Sequence, residues 1–172
     1  MSNQSEINKL TEWFRIFGAR RPESWAKSQV EEGINQWGRF VFLHQAWKNI
    51  VPDTDTTWIA PLIEESDTKP NDLGAAAGPA LRRMLQAGVN PQDITDVVRV
   101  MQWHLLFNLM YQLSDPSIVE YPSKNMKHVQ WILVEVDDND NPVDRIDMLH
   151  ESVLNTDPTG REMMPRKVHS DT

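Results

Sequence analysis

Hydrophobic residues recur at helical spacing most clearly in Asn90–Asp115, NPQDITDVVRVMQWHLLFNLMYQLSD. Ile94, Val97, Val98 and Met101 mark one face of its first half. From Met101 to Leu113 the pattern is apolar on nearly every side. A helix apolar all round is buried all round, so residues 91–113 are expected to form a central helix with others packed around it. Its ends are legible too. The Asn90 side chain can accept from a first-turn amide, and Pro91 stands where no amide partner is needed. Asp93 and Asp96 bring negative charge to the positive end of the helix dipole. Asp115 precedes Pro116, which disfavours further helix.

The same periodicity predicts a helix over Ser5–Phe17 (Ile7, Leu10, Trp13, Phe14, Phe17), stopped by Gly18. A long second helix is predicted from about Pro22 to about Ile50, ended by Pro52. Gly33 and Gly38 weaken its interior by roughly 1 kcal/mol each and predict a kink or a close helix contact. After a polar linker, Thr56 or Thr57 can cap a short helix at Trp58–Glu65, with Pro61 in its first turn. Ser66–Asp72 reads as a loop. Leu73–Ala87 is the next helix, and its small residues Ala75–Ala77 admit a close neighbour. Gly88 stops it, and the short step to Asn90 predicts a helical hairpin.

The period changes after Pro116. Ser117–Lys127 reads as an irregular connector. Val129–Val136 (VQWILVEV) is β-branched and aromatic, with Ile132, Val134 and Val136 on one face and Trp131 and Leu133 on the other. Asp137–Pro142 carries turn chemistry, and Val143–Met148 can return as a second strand with Ile146 and Met148 on one face. A lone strand pair is marginal, so it must pack on the helices or join another chain's sheet. Leu149–Asn155 adds a helical turn, Asp157–Gly160 a tight turn, and residues 163–172 a loose tail. The expected fold is mainly α: about five helices packed around residues 91–113, with a C-terminal β-hairpin at 129–136 and 143–148. It forms a single domain over 1–172, with a helical body at 5–115 and the hairpin and acidic turn at 129–149.

Composition narrows function by exclusion. The chain has 172 residues, about one domain, with 40% hydrophobic and 24% charged residues, as in ordinary globular proteins. Seven tryptophans point to large aromatic anchors. Trp13, Trp25 and Trp37 are evenly spaced, but the similarity around them does not extend far enough for a repeat. The absence of cysteine removes disulfides, thiol catalysis and thiolate metal sites, and fits a cytoplasmic protein. Neither a signal-peptide pattern nor a span-length apolar run is visible. A net charge of −8 argues against a nucleic-acid or anionic-membrane partner.

That charge is concentrated. Glu135–Asp157 holds eight carboxylates against one arginine, a net −7. Asp137, Asp138, Asp140, Asp144 and Asp147 form a candidate surface for a basic protein partner. The plainer reading is a solvated hairpin whose charges block edge-to-edge pairing. Asp137-Asp138-Asn139-Asp140-Asn141 resembles the opening of a calcium loop, but Pro142 stands where glycine is needed and Met148 where a closing Glu is needed. A structural turn is preferred, with no metal site and no cofactor.

His104 and Asn108 share one face of the long helix, and with Arg99 and Tyr111 they make a candidate ligand pocket. An internally satisfied polar pair is the plainer reading. His44 lies on the second helix, and His128 and His169 carry no motif. His150-Glu151-Ser152 and Asp157 suggest a hydrolase but lie too close together for a triad, with no nucleophile elbow nearby. No phosphate-binding glycine loop occurs among Gly74, Gly78 and Gly88, so no catalytic residue is assigned. Thr159–Lys167 sets Met163 and Met164 between basic residues, a pliable contact segment or a tail covering the body.

The expected function is a non-catalytic cytoplasmic protein of the bacterial immunity or inhibitor kind, docking a basic partner through its acidic hairpin. An enzyme or ligand-binding protein with a pocket on the long helix, and a structural protein self-associating through Val129–Val136, are the alternatives. Oligomeric state is left open.

Overall fold

The computed structural model describes residues 3–115 and 123–166. The protein is mainly helical with a C-terminal two-stranded antiparallel hairpin. The helices are α1 (Asn3–Ile16), α2 (Pro22–Glu32), α3 (Gln36–Trp47), α4 (Ile59–Thr68), α5 (Ala77–Gln86) and α6 (Pro91–Ser114). Strands β1 (Leu133–Val136) and β2 (Pro142–Ile146) precede the short helix α7 (Leu149–Ser152) and a 3-10 turn at Leu154–Thr156. The connector expected at 117–127 lies outside the described residues as far as 122, and the tail beyond 166 also lies outside them.

The chain forms two compact units, Asn49–Leu105 and a second comprising Met1–Lys48 with Leu106–Thr172. The boundary falls inside α6, and the hairpin belongs to the same unit as α1–α3.

The unit containing α1–α3 is built on aromatic packing. Ile7, Leu10 and Phe14 of α1 meet Ala26 of α2 and Phe40 of α3. Phe14 is fully buried, 5.9 Å from Trp25, 5.2 Å from Trp37 and 5.4 Å from Phe40 between ring centroids. Two of the evenly spaced tryptophans, Trp25 and Trp37, thus pack on one phenylalanine, and Trp13 packs on Trp37. Such ring pairs contribute about 0.5–1.5 kcal/mol beyond area burial.

The single helix expected over 22–50 is two helices. Gly33 adopts φ +69° and its amide bonds to the Gln29 carbonyl, closing α2 with a left-handed cap. Two residues later Asn35 opens α3, its side chain accepting from the Gly38 amide at 2.8 Å. Gly33-Ile34-Asn35 therefore ends one helix and opens the next as Gly88-Val89-Asn90 does between α5 and α6, where Gly88 has φ +82° and Asn90 accepts from the Gln92 amide at 2.9 Å.

In the Asn49–Leu105 unit, Ile59, Leu81 and Ile94 form the core between α4, α5 and the start of α6. The cap expected from Thr56 or Thr57 is supplied differently. Asp55 accepts from the Thr57 amide and hydroxyl, and Trp58 stands at the N-cap without a side-chain bond. These two bonds from Thr57 hold the Asp55 carboxyl below its usual pKa.

Burial along α6 differs from the all-round burial its composition suggests. Ile94, Thr95, Arg99, Leu106 and Met110 are buried, whereas Val97, Met101, Leu105 and Leu109 are exposed. The reason is hydrogen bonding to residues distant in sequence. Thr95 accepts from the Trp58 indole at 3.0 Å, and Arg99 donates to the Val51 carbonyl at 2.7 Å. Polar residues thereby take the covered side and leave their apolar neighbours facing out.

Candidate functional site

The hairpin is fastened by its inward face. Leu133 pairs with Ile146 and Glu135 with Asp144, so these four share one face. Ile146 is buried, and Glu135 accepts from the Asn35 side-chain Nδ2 at 2.7 Å. The C-terminal end of α6 completes the anchorage. Trp131 donates to the Gln112 carbonyl at 2.9 Å, and the Leu149 amide donates to Ser114 Oγ at 2.9 Å. The other face is open: Ile132 is 63% and Val136 46% exposed. A bulge displaces Val143, the residue left unpaired between Pro142 and Asp144, and it is 60% exposed.

The five candidate aspartates divide into two groups. Asp137 is a turn residue: its carboxylate accepts from the Asn139 and Asn141 amides at 2.8 and 3.0 Å. The Asn141 backbone bond, then that residue's side chain, then the Asn139 amide hold its carboxyl below the usual range. Asp140 sits beside it at φ +62°, completing a tight polar loop. Asp147 lies 3.4 Å from Arg39 and 3.4 Å from Arg145, so its charge is compensated. Asp138, Asp140 and Asp144 are exposed and have no ion-pair partner among the described residues. Asp144 also stands directly opposite Glu135, a like-charge arrangement that costs stability.

The residues proposed for a pocket on the long helix are not gathered into one. His104 and Asn108 are exposed, because their face of α6 is the open one. Arg99 is buried, but its guanidinium is a strut for the Asn49–Thr57 segment, bonded to Val51 and 3.7 Å from Asp53. Tyr111 packs its ring 4.7 Å from His150. His44 meets Phe17 edge-on at 5.8 Å and stacks on Phe40 at 6.0 Å.

The His150, Ser152 and Asp157 group is also dispersed by its bonds. Ser152 Oγ accepts from Arg39 at 3.4 Å. Asp157, 2% exposed, closes its own turn by accepting from Thr159 and from the Met163 amide. Met163 is thus tied to this turn where a loose tail was expected. Among the described residues, no group of three or more His, Cys, Asp or Glu side chains could hold a metal ion. No helix among them is long and apolar enough to cross a membrane.

A site that sequence reasoning missed lies in the unit containing α1–α3. A cavity of about 290 Å³ opens between α2, α3 and α7. Gln36 and Arg39, 8% and 5% exposed, form its floor, and Trp25, Ser28 and Ser152 its walls. Exposed Arg20, Arg21 and Glu162 stand at its rim. Gln36 and Arg39 lie one turn apart on α3, a spacing legible in the sequence. The amphipathic reading of one long helix gave no reason to single it out.

No protein-family model, curated protein or solved structure matches this chain.

Proposed function

We propose that this protein is a non-catalytic cytoplasmic binding protein, of the inhibitor or immunity kind, that docks a basic protein partner on its β1–β2 hairpin. One observation carries this reading. The hairpin exposes Ile132, Val136 and Val143 on its open face, Asp138 and Asp140 at its turn and Asp144 opposite Glu135, and these three aspartates have no cation partner among the described residues. An apolar patch rimmed by charge is the anatomy of a protein-binding surface. Uncompensated carboxylates on it favour a basic partner and speed encounter. A cationic side chain placed near Asp144 also relieves its repulsion with Glu135.

Lysate from the native host, passed over immobilised protein at low and high salt, tests the reading. The comparison is wild type against the triple reversal Asp138→Lys, Asp140→Lys, Asp144→Lys. A basic protein retained by wild type at low salt, and released both by salt and by the reversal, is the expected result. Retention indifferent to the reversal refutes the hairpin as the site.

A further inference from the structure

We infer that the cavity between α2, α3 and α7 is a binding site for a small hydroxy- or amino-carboxylate, separate from the hairpin surface. The floor is the decisive feature. Arg39 is 5% exposed, and its Nε–H is buried without an acceptor. Gln36 is 8% exposed; its amide nitrogen donates to Ser28 at 2.8 Å, while its Oε1 is buried without a donor. Buried polar atoms in folded proteins are nearly always hydrogen-bonded, and each left unmade costs stability. Here a donor and an acceptor without partners lie one turn apart on the same helix, on two residues that both line the cavity.

These two groups specify complementary chemistry. The guanidinium Nε–H calls for an anionic oxygen, and the amide oxygen calls for a hydroxyl or ammonium hydrogen. The other Arg39 nitrogens have partners only at 3.4 Å, to Ser152 and Asp147, which leaves the guanidinium able to take a stronger acceptor. Charge sets the valence. Arg20, Arg21 and Arg39 line the cavity with Glu151 and Glu162, and Asp147 beside Arg39 is shared with Arg145, so one positive charge is in surplus, which suits a monocarboxylate better than a phosphate dianion. Arg20 is 3.8 Å from Glu162, whereas Arg21 has no ion pair among the described residues and is the rim cation available to the ligand. The volume, about 290 Å³, admits a metabolite-sized molecule.

Titration of the full-length isotope-labelled protein with L-lactate, L-serine, acetate and inorganic phosphate tests this by NMR. Lactate or serine at millimolar concentration is expected to shift the Arg39 Nε–H and Trp25 indole signals. Acetate, lacking the donor, should bind about fivefold more weakly, the equivalent of one hydrogen bond. Gln36→Met should erase that preference, and the exposed-site variant Arg21→Gln should weaken lactate or serine binding by roughly fivefold. No shift at Arg39 Nε–H with either hydroxy- or amino-carboxylate overturns the inference. So does acetate binding as well as lactate and serine, or a response to phosphate alone.

Discussion

Trp47→Phe should loosen the attachment of the C-terminal segment to α3. Trp47 is 3% exposed, and its indole donates to the Val153 carbonyl at 3.1 Å and to Thr156 Oγ1 at 3.0 Å. Phenylalanine removes both bonds. The Val153 carbonyl keeps a second donor in the Thr156 hydroxyl at 3.0 Å, so the hydrogen-bond loss falls near the low end, about 1 kcal/mol. About three ring atoms also leave a closed site, adding about 2 kcal/mol at the usual cost per buried carbon. The expected loss is about 2–3 kcal/mol. Urea unfolding followed by circular dichroism reads it as a midpoint lowered by about 1–1.5 M, for a slope of about 2 kcal/mol/M. Trp13→Phe is the control: that ring is 39% exposed and should cost under about 1 kcal/mol. A Trp47→Phe midpoint lowered no further than that of Trp13→Phe would refute the claim that this indole clamps the segment.

Two further outcomes follow from local geometry. A Cβ at Gly78 would lie 2.3 Å from Ser66 Cβ, so Gly78→Ala should destabilise the Asn49–Leu105 unit by about 1–3 kcal/mol, and a second change, Ser66→Gly, should restore most of it; thermal unfolding of the single and double variants checks this. The Asp137 carboxyl has a lowered folded pKa, so its support for the hairpin turn is complete above the unfolded value of about 3.9 and is lost as pH falls through the folded value. The amide signals of Asn139 and Asn141 should therefore broaden or shift together only below about pH 4, and a midpoint near neutrality would contradict the assignment.

The legible parts of the fold were those with two agreeing local signals. Gly88-Val89-Asn90 was readable as a helix boundary because Pro91 follows it. Gly33-Ile34-Asn35 makes the same boundary without a proline, and the apolar period running through it concealed the break. The hairpin was visible in its β-branched run and turn residues, although β1 begins at Leu133, not Val129. Burial on α6 was not legible, because Thr95 and Arg99 are buried through partners some forty to fifty residues away. The same limit explains the sites. Which aspartates are consumed internally depends on Arg39, on Arg145 and on turn geometry. The buried pair Gln36 and Arg39 comes to line a cavity only through the packing of α2 and α7 beside α3.

Site-specific photo-cross-linking in the native host tests the proposed hairpin contact most directly. A photoreactive residue replaces Val143 in one variant and exposed Leu73 in the other. The hairpin account predicts a covalent adduct with one basic protein from position 143, absent from position 73 and abolished by the Asp138, Asp140 and Asp144 reversals. An adduct at 143 that survives the reversals, or one formed only at 73, would contradict it.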